Sequence, residues 1–292
     1  MSSRHPPVNF CLSLIQKDLS GLSLSSSPVP CFKAIDALTG QLNLILQRAA
    51  AGLSLRSGIL RFLYILYEFL YLFMMIDLHT HTVFSDGELI PFELVRRAEA
   101  SGYSALAITD HMDASNIDLI IPRIAKAVEM LKPFVSIDVL PGAEITHAPP
   151  ALIPELVKEA RRLGAKIVIV HGETIVEPVT KGTNRAAIEA GADILSHPGL
   201  ITIEDLLLAK EKNVLLEITS RKGHSLANGY VAKEAVRFGA PLCINTDSHS
   251  PSDLITREAA RRILLAAGVE ENRIESIFDN AKSLIDKVLR RN

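Results

Sequence analysis

Seven short, apolar, β-branched runs recur downstream of Met75, and longer amphipathic segments separate them. The runs are "MIDL", "ALAIT", "IDVLPGAEI", "KIVIVHG", "DILSH", "VLLEIT" and "PLCINT". Between them, segments such as "IPFELVRRAEASG", "ALIPELVKEARRLG" and "NGYVAKEAVRFG" carry apolar residues at helical spacing. Two more helical stretches, "SDLITREAARRILLAAG" and "RIESIFDNAKSLIDKVL", follow the last run. Gly102, Gly164, Gly191 and Gly239 stand where a left-handed residue ends a helix. This strand–helix alternation predicts an α/β fold with a parallel sheet. Met75 to Asn292 is 218 residues. At about 31 residues per unit, a distorted TIM-like (βα)7 barrel fits better than an eight-fold one. An open doubly wound sheet is the alternative.

The polar residues separate the two. The runs end in or are followed by His79, His81 and Asp86; Asp110 and His111; Glu144; His171; His197; Glu217; and Asp247 and His249. Six of the nine histidines stand at such ends. A barrel gathers all these ends at one mouth, whereas an open sheet strings them along a line. A metal centre is therefore expected at the C-terminal ends of the strands. His79 and His81 share a strand face, as do Asp247 and His249, so each pair can serve one ion. Mixed imidazole and carboxylate donors suit zinc, manganese or iron rather than calcium or magnesium. His79, His81, Asp86, His111, Glu144, His171, His197, Asp247 and His249 are enough donors for two or three divalent transition metal ions.

The motifs "HTHTVFSDG", "ITDH", "GAEI", "VHG", "SHPG" and "NTDSH" together resemble the PHP (polymerase and histidinol phosphatase) family, over Met75 to about His249. The resemblance implies a distorted seven-stranded barrel whose metal centre hydrolyses phosphate esters. By position, one metal would take His79, His81 and Asp247. Glu144 would bridge it to a second held by His171 and His197. A third would take Asp86, His111 and His249. Some relatives carry histidine at the Asp86 position. Glu144, His171 and Asp247 are then the residues expected nearest the reaction, with a metal-bridging hydroxide as nucleophile. The implied activity is a histidinol-phosphatase-like phosphomonoesterase acting on a small phosphorylated metabolite. Alternatives are a PHP-type nuclease or proofreading exonuclease, a barrel without catalysis, and an amidohydrolase. The last usually has lysine at the fourth strand end, where this chain has His171.

Neighbouring residues take supporting roles in this reading. Asp77 and Asp110 orient ligands from behind. Arg221, Lys222 and His224 lie in a glycine-containing loop after the sixth run and are expected to bind substrate, arginine by its two-pronged grip on phosphate. Glu173 and Glu217 read as solvated or helix-capping, His147 as an ordinary loop histidine and Cys243 as packed.

Charge and cysteine usage narrow the partners. The net charge is -2, with no basic stripe, which argues against a nucleic-acid partner. The three cysteines have no metal or disulfide spacing, consistent with a reducing cytoplasm. Residues 1–74 read as a poorly structured or helical N-terminal extension, with a helix near 32–51, and 75–292 as the barrel domain. The apolar run "ILRFLYILYEFLYLFMM" is interrupted by Arg61 and Glu68 and leads straight into the first strand. A membrane span needs about 20 apolar residues and a way out of the bilayer. The run therefore reads as an appendage, and no membrane partner is expected. The sequence leaves the oligomeric state open.

Overall fold

The computed structural model describes residues 74–290. The helix expected near 32–51 and the apolar run as far as Phe73 lie outside these residues.

Each expected run forms a strand: β1 (Met75–Asp77), β2 (Tyr103–Ile108), β4 (Asp138–Ile145), β5 (Ile167–His171), β6 (Ile194–Ser196), β7 (Leu215–Thr219) and β8 (Leu242–Asn245). A two-residue strand, β3 (His111–Met112), was not expected from the sequence. It carries the line of β2 past a break at Thr109–Asp110 and pairs with β4. All pairings are parallel, in the order β1-β2-β4-β5-β6-β7-β8. The first and last strands meet beyond their ends. Thr80 bridges Ser248, the His81 N–H donates to the Ser248 carbonyl at 2.8 Å, and the Leu78 N–H donates to Asn245 Oδ1 at 2.9 Å. The sheet is thus nearly closed into a TIM-like barrel, and the open-sheet alternative is excluded.

Helices α1 (Pro91–Ala100), α2 (Ile117–Leu131), α3 (Ile153–Leu163), α4 (Thr183–Glu189), α5 (Ile203–Lys212) and α6 (Asn228–Phe238) alternate with the strands. Two more, α7 (Arg257–Ala266) and α8 (Glu271–Leu289), follow β8. Gly102, Gly164, Gly191 and Gly239 all have positive φ, as their helix-ending role requires. Helix α7 starts later than its apolar pattern suggested. Ser250 and Asp253 close a capping box around a separate turn, and the α7 cap is Thr256, whose hydroxyl accepts the Ala259 N–H.

Both faces of a parallel barrel strand are covered, so both are apolar. Alternate residues such as Leu106, Val168 and Leu216 face the helices. The others, including Ile76, Leu78, Ala107, Leu140, Ile167, Ile169 and Cys243, form an inner cluster. Ala281, Leu284, Ile285 and Val288 of α8 join that inner cluster. The last helix therefore stoppers the end where the strands begin and leaves their C-terminal ends for chemistry. Burial of one such leucine contributes about 1.5–3 kcal/mol. Cys243 is packed there as expected, and burial pushes its thiol pKa well up. Among the described residues, no helix is long and apolar enough to cross a membrane.

Candidate metal centre

The inner file of each strand starts apolar and ends polar. Leu140, Gly142 and Glu144 follow one another on β4, and Ile167, Ile169 and His171 on β5. Leu215 and Glu217 do so on β7, and Cys243 and Asn245 on β8, with Asp247 two residues further. The period of two places all of these on the axis side. Just past the end of β1 the alternation breaks. Leu78 belongs to the inner cluster, yet His79 also turns its ring inward, 5.0 Å from that of His81.

Glu144 is the hub. Its oxygens lie 3.2 Å from His79 Nε2, 3.7 Å from His81 Nε2, 2.7 Å from His111 Nδ1 and 3.7 Å from His197 Nε2. Ser196 donates to it at 2.8 Å. Asp247 faces the same space, 3.1 Å from His81 Nε2, 3.6 Å from His79 Nε2, 3.8 Å from His197 Nε2 and 3.5 Å from His249 Nδ1. Asp86 stands at the open side, 3.1 Å from His249 Nε2 and 3.5 Å from His111 Nε2. All nine residues expected as metal donors therefore meet at one mouth. Their donor atoms cluster as His79, His81 and Glu144; as His81, Asp86, His111 and His249; and as His171, His197 and His224. The first two clusters share His81, the third includes His224, which the sequence assigned to substrate, and Asp247 belongs to none of the three.

These donors fit divalent metals better than they fit one another. Among the described residues, seven buried side-chain atoms make no hydrogen bond, and six belong here. They are His79 Nε2, both nitrogens of His81, His197 Nδ1, Asp247 Oδ1 and Glu144 Oε2; the last is close to His111 but out of hydrogen-bond geometry. Buried polar atoms without partners are costly, and so many at one point imply a missing shared partner. The charges agree. Burial and then the neighbouring imidazoles hold His81 and His197 well below the usual histidine range, so each keeps a lone pair to offer. Burial pushes Asp247 up to about 7, against the pull of His79. Burial would raise Glu144 too, but His79 and His111 outweigh it and keep the carboxylate charged. His197 and Asp247 have φ of 26° and 53°, left-handed values that non-glycine residues seldom take. Such strain gathers where function sets the geometry.

Supporting residues hold this set in place. Asp77 is fully buried and accepts from the N–H groups of His79 and Thr246 and from the Thr246 hydroxyl. Asp110 accepts from the N–H and hydroxyl groups of both Thr82 and Ser85, and so fixes the loop that carries Asp86. Glu173 accepts from Gly182 and Asn184 at the start of α4, the helix-capping role expected of it.

Glu217 corrects the sequence reading. It is not solvated: it is fully buried and accepts from His79 Nδ1 at 2.8 Å, from Asn245 Nδ2 at 2.8 Å and from the His197 N–H at 3.2 Å. A carboxylate behind a histidine fixes its tautomer and aims Nε2 forward. The signal was present, since Glu217 shares a strand face with Leu215. Glu217→Gln is expected to weaken metal binding by about 10–100-fold without unfolding the barrel. Isothermal titration with zinc or manganese would show it, and unchanged affinity would remove Glu217 from the metal-orienting set.

The expected substrate-binding residues divide. Arg221 Nη1 lies 3.4 Å from Asp253, whose carboxylate also accepts the His249 N–H, so Arg221 is tied to the rim of the mouth. Lys222 is exposed. His224 is not on the rim: it is buried, with its ring stacked on that of His197 at 4.1 Å. Glu177 drew no attention in the sequence, yet it contacts His147, His171 and His224. His147 is a loop histidine as expected, and its contact with Glu177 at 3.3 Å is one that nothing in its spacing indicated.

The chain is similar to known proteins in sequence and in fold. A family model described as "PHP domain" matches residues 77–212. An uncharacterized protein of Methanocaldococcus jannaschii is 49% identical over 218 residues, covering 74% of this chain and 100% of that protein. A protein of Thermoanaerobacter sp. (strain X514) named "probable phosphatase" is 26% identical over 226 residues, covering 68% of this chain and 89% of its own length. Among solved structures, a chain of an archaeal ribonuclease P complex with mature tRNA superposes with a TM-score of 0.58 at 19% identity, covering 75% of this chain and 94% of that one. That likeness is one of fold.

Proposed function

The chain belongs to the PHP domain family, and from that premise we propose that it is a metal-dependent phosphoesterase that releases phosphate from a small phosphorylated metabolite. The observation that carries this reading is the set of six buried donor atoms without hydrogen-bond partners at one barrel mouth. The "probable phosphatase" relative, aligned over most of both chains, supports the same reaction class.

Divalent transition metal ions bound at this mouth would neutralise phosphate oxygens and lower the pKa of water enough to supply hydroxide near neutral pH. The chain's own residues prepare that chemistry. Glu144, His171 and Asp247 are the groups we place nearest the reacting phosphorus. Glu144 and Asp247 each face donors from several strands, and so would be shared between bound ions. Glu217 aims His79, and Asp110 holds the Asp86 loop. Of the 31 basic and 33 acidic residues, six and three precede Met75, which leaves 75–292 with a formal charge of -5. Bound cations, rather than the net charge of the domain, would therefore supply the attraction for an anionic ester. Arg221 at the rim is positioned to meet such an ester.

We assign this activity to residues 75–292 as one domain. The test is a screen of phosphomonoesters and nucleotides with manganese, zinc and iron compared, run on the full chain and on a chain beginning at Met75. Both are expected to release inorganic phosphate, and a chelator to abolish the release. No turnover of any monoester by metal-loaded protein, with degradation of single-stranded oligonucleotides instead, would overturn the proposal in favour of a nuclease.

A further inference from the structure

The loop between β5 and α4 carries Glu177 over the mouth. Its Oε2 lies 3.1 Å from His171 Nε2 and 3.3 Å from His147 Nε2, and its Oε1 lies 3.3 Å from His224 Nε2. The second nitrogens of the two buried rings are already occupied. His171 Nδ1 faces the Gly172 carbonyl at 3.2 Å, and His224 Nδ1 faces the Thr174 hydroxyl at 2.8 Å. One nitrogen tied to an orienting partner and the other aimed at a shared point is how proteins present histidine to a metal.

The rings are arranged accordingly. His171 and His197 are 4.4 Å apart, and His197 and His224 are stacked at 4.1 Å. A donor nitrogen of each of these three buried residues lies within 4.8 Å of those of the other two. Hydrogen bonds to Glu177 would serve His171 and His224 but leave His197 Nδ1 without a partner. A divalent cation engages all the lone pairs together. Three nitrogens and one carboxylate oxygen form a donor set suited to zinc and its first-row neighbours.

We propose that His224 and Glu177 are two further protein ligands of the metal held by His171 and His197. This deepens the metal-centre reading above and rests on it. That metal would then be enclosed by groups from the ends or following loops of β5, β6 and β7. His147, on the outer side of Glu177, is a positioning residue that keeps the carboxylate over the mouth. Glu177 is the displaceable ligand: it is 36% exposed, and Ile175 and Val176 beside it are exposed. An incoming phosphate would take its place.

The test measures metal content and release in the full-length protein. Wild type, His224→Ala and Glu177→Gln are loaded with zinc, analysed by mass spectrometry of the metal, and challenged with a chromogenic chelator. His224→Ala is expected to lose one metal equivalent or to bind it at least about tenfold more weakly, with the remaining metals retained. Glu177→Gln is expected to keep the full count but release one equivalent about tenfold faster. Replacing zinc with cobalt(II) adds a spectroscopic check, since the visible bands of one ion should change in both variants. Loaded wild type whose count, release rates and cobalt spectrum are matched by both variants would overturn the proposal while leaving the metal centre standing. Wild type that folds but binds no metal would overturn the centre itself, and this inference with it. Glu177→Gln, at a partly exposed position, keeps the test decisive should His224→Ala fail to fold.

Discussion

Glu144→Ala is expected to lower phosphate release by about a thousandfold or more and to cut bound metal by at least one equivalent. The reason is positional. Among the described residues, Glu144 is the one carboxylate facing His79, His81, His111 and His197 together, so its loss would remove an oxygen donor shared by several of these histidines. Losing an orienting partner costs about 10–100-fold, and losing a direct ligand should cost more. A thousandfold is about 4 kcal/mol of barrier. The fold should survive, because the core lies below the site and does not include Glu144. Circular dichroism, metal analysis and turnover on the same preparation separate these effects. A Glu144→Ala protein that keeps both its metal and its turnover would remove Glu144 from the centre.

The second large effect is on stability. Gly199 has φ of 61°, and a Cβ there would collide with the Glu173 carbonyl oxygen. The obstacle is backbone, so no side-chain rotation relieves it. Strain at a left-handed residue and overpacking together predict a loss of about 2–5 kcal/mol for Gly199→Ala. For a domain of this size, that lowers Tm by roughly 5–15 °C. The loop after β6 begins with His197, two residues before, so metal binding should weaken in parallel. Thermal unfolding of the metal-free protein reads the stability loss alone, and an unchanged Tm would contradict the argument. Gly172 is comparable, because a Cβ there would meet the Ser196 carbonyl. The glycines of "VHG" and "SHPG" thus let two donor-bearing loops pack against each other.

The sequence was informative wherever regular periodicity held. A strand turns alternate residues the same way, so the inward direction of Glu144 and His171 follows from Leu140 and Ile167 upstream on the same files. The same rule reaches Glu217 through Leu215. Its place near the end of an apolar run suggests solvent, yet it stands behind His79. The break in β2, which creates β3 and sets His111 beside Glu144, has no counterpart in the apolar pattern. It depends on Asp110 folding back to hold Thr82 and Ser85.

Loops carry no such period. His147, Glu177 and His224 sit in three different connections, and nothing in their spacing relates them. They meet because barrel closure brings the ends of β4, β5 and β7 together and the intervening chain is short. The sequence alone therefore determined the barrel, the end at which its polar strand ends gather and the inward direction of Glu144 and His171, because strand period and strand order determine where those side chains point. The placing of His79, Asp86 and His111 beside them depended on the breaks after β1 and β2 and on the loop held by Asp110. Only the tertiary structure decided that Glu217 aims His79, that His224 leaves the rim for the interior and that Glu177 covers the mouth. Those placements depend on how loops pack across the barrel top, and no local pattern encodes contacts between segments so far apart in the chain.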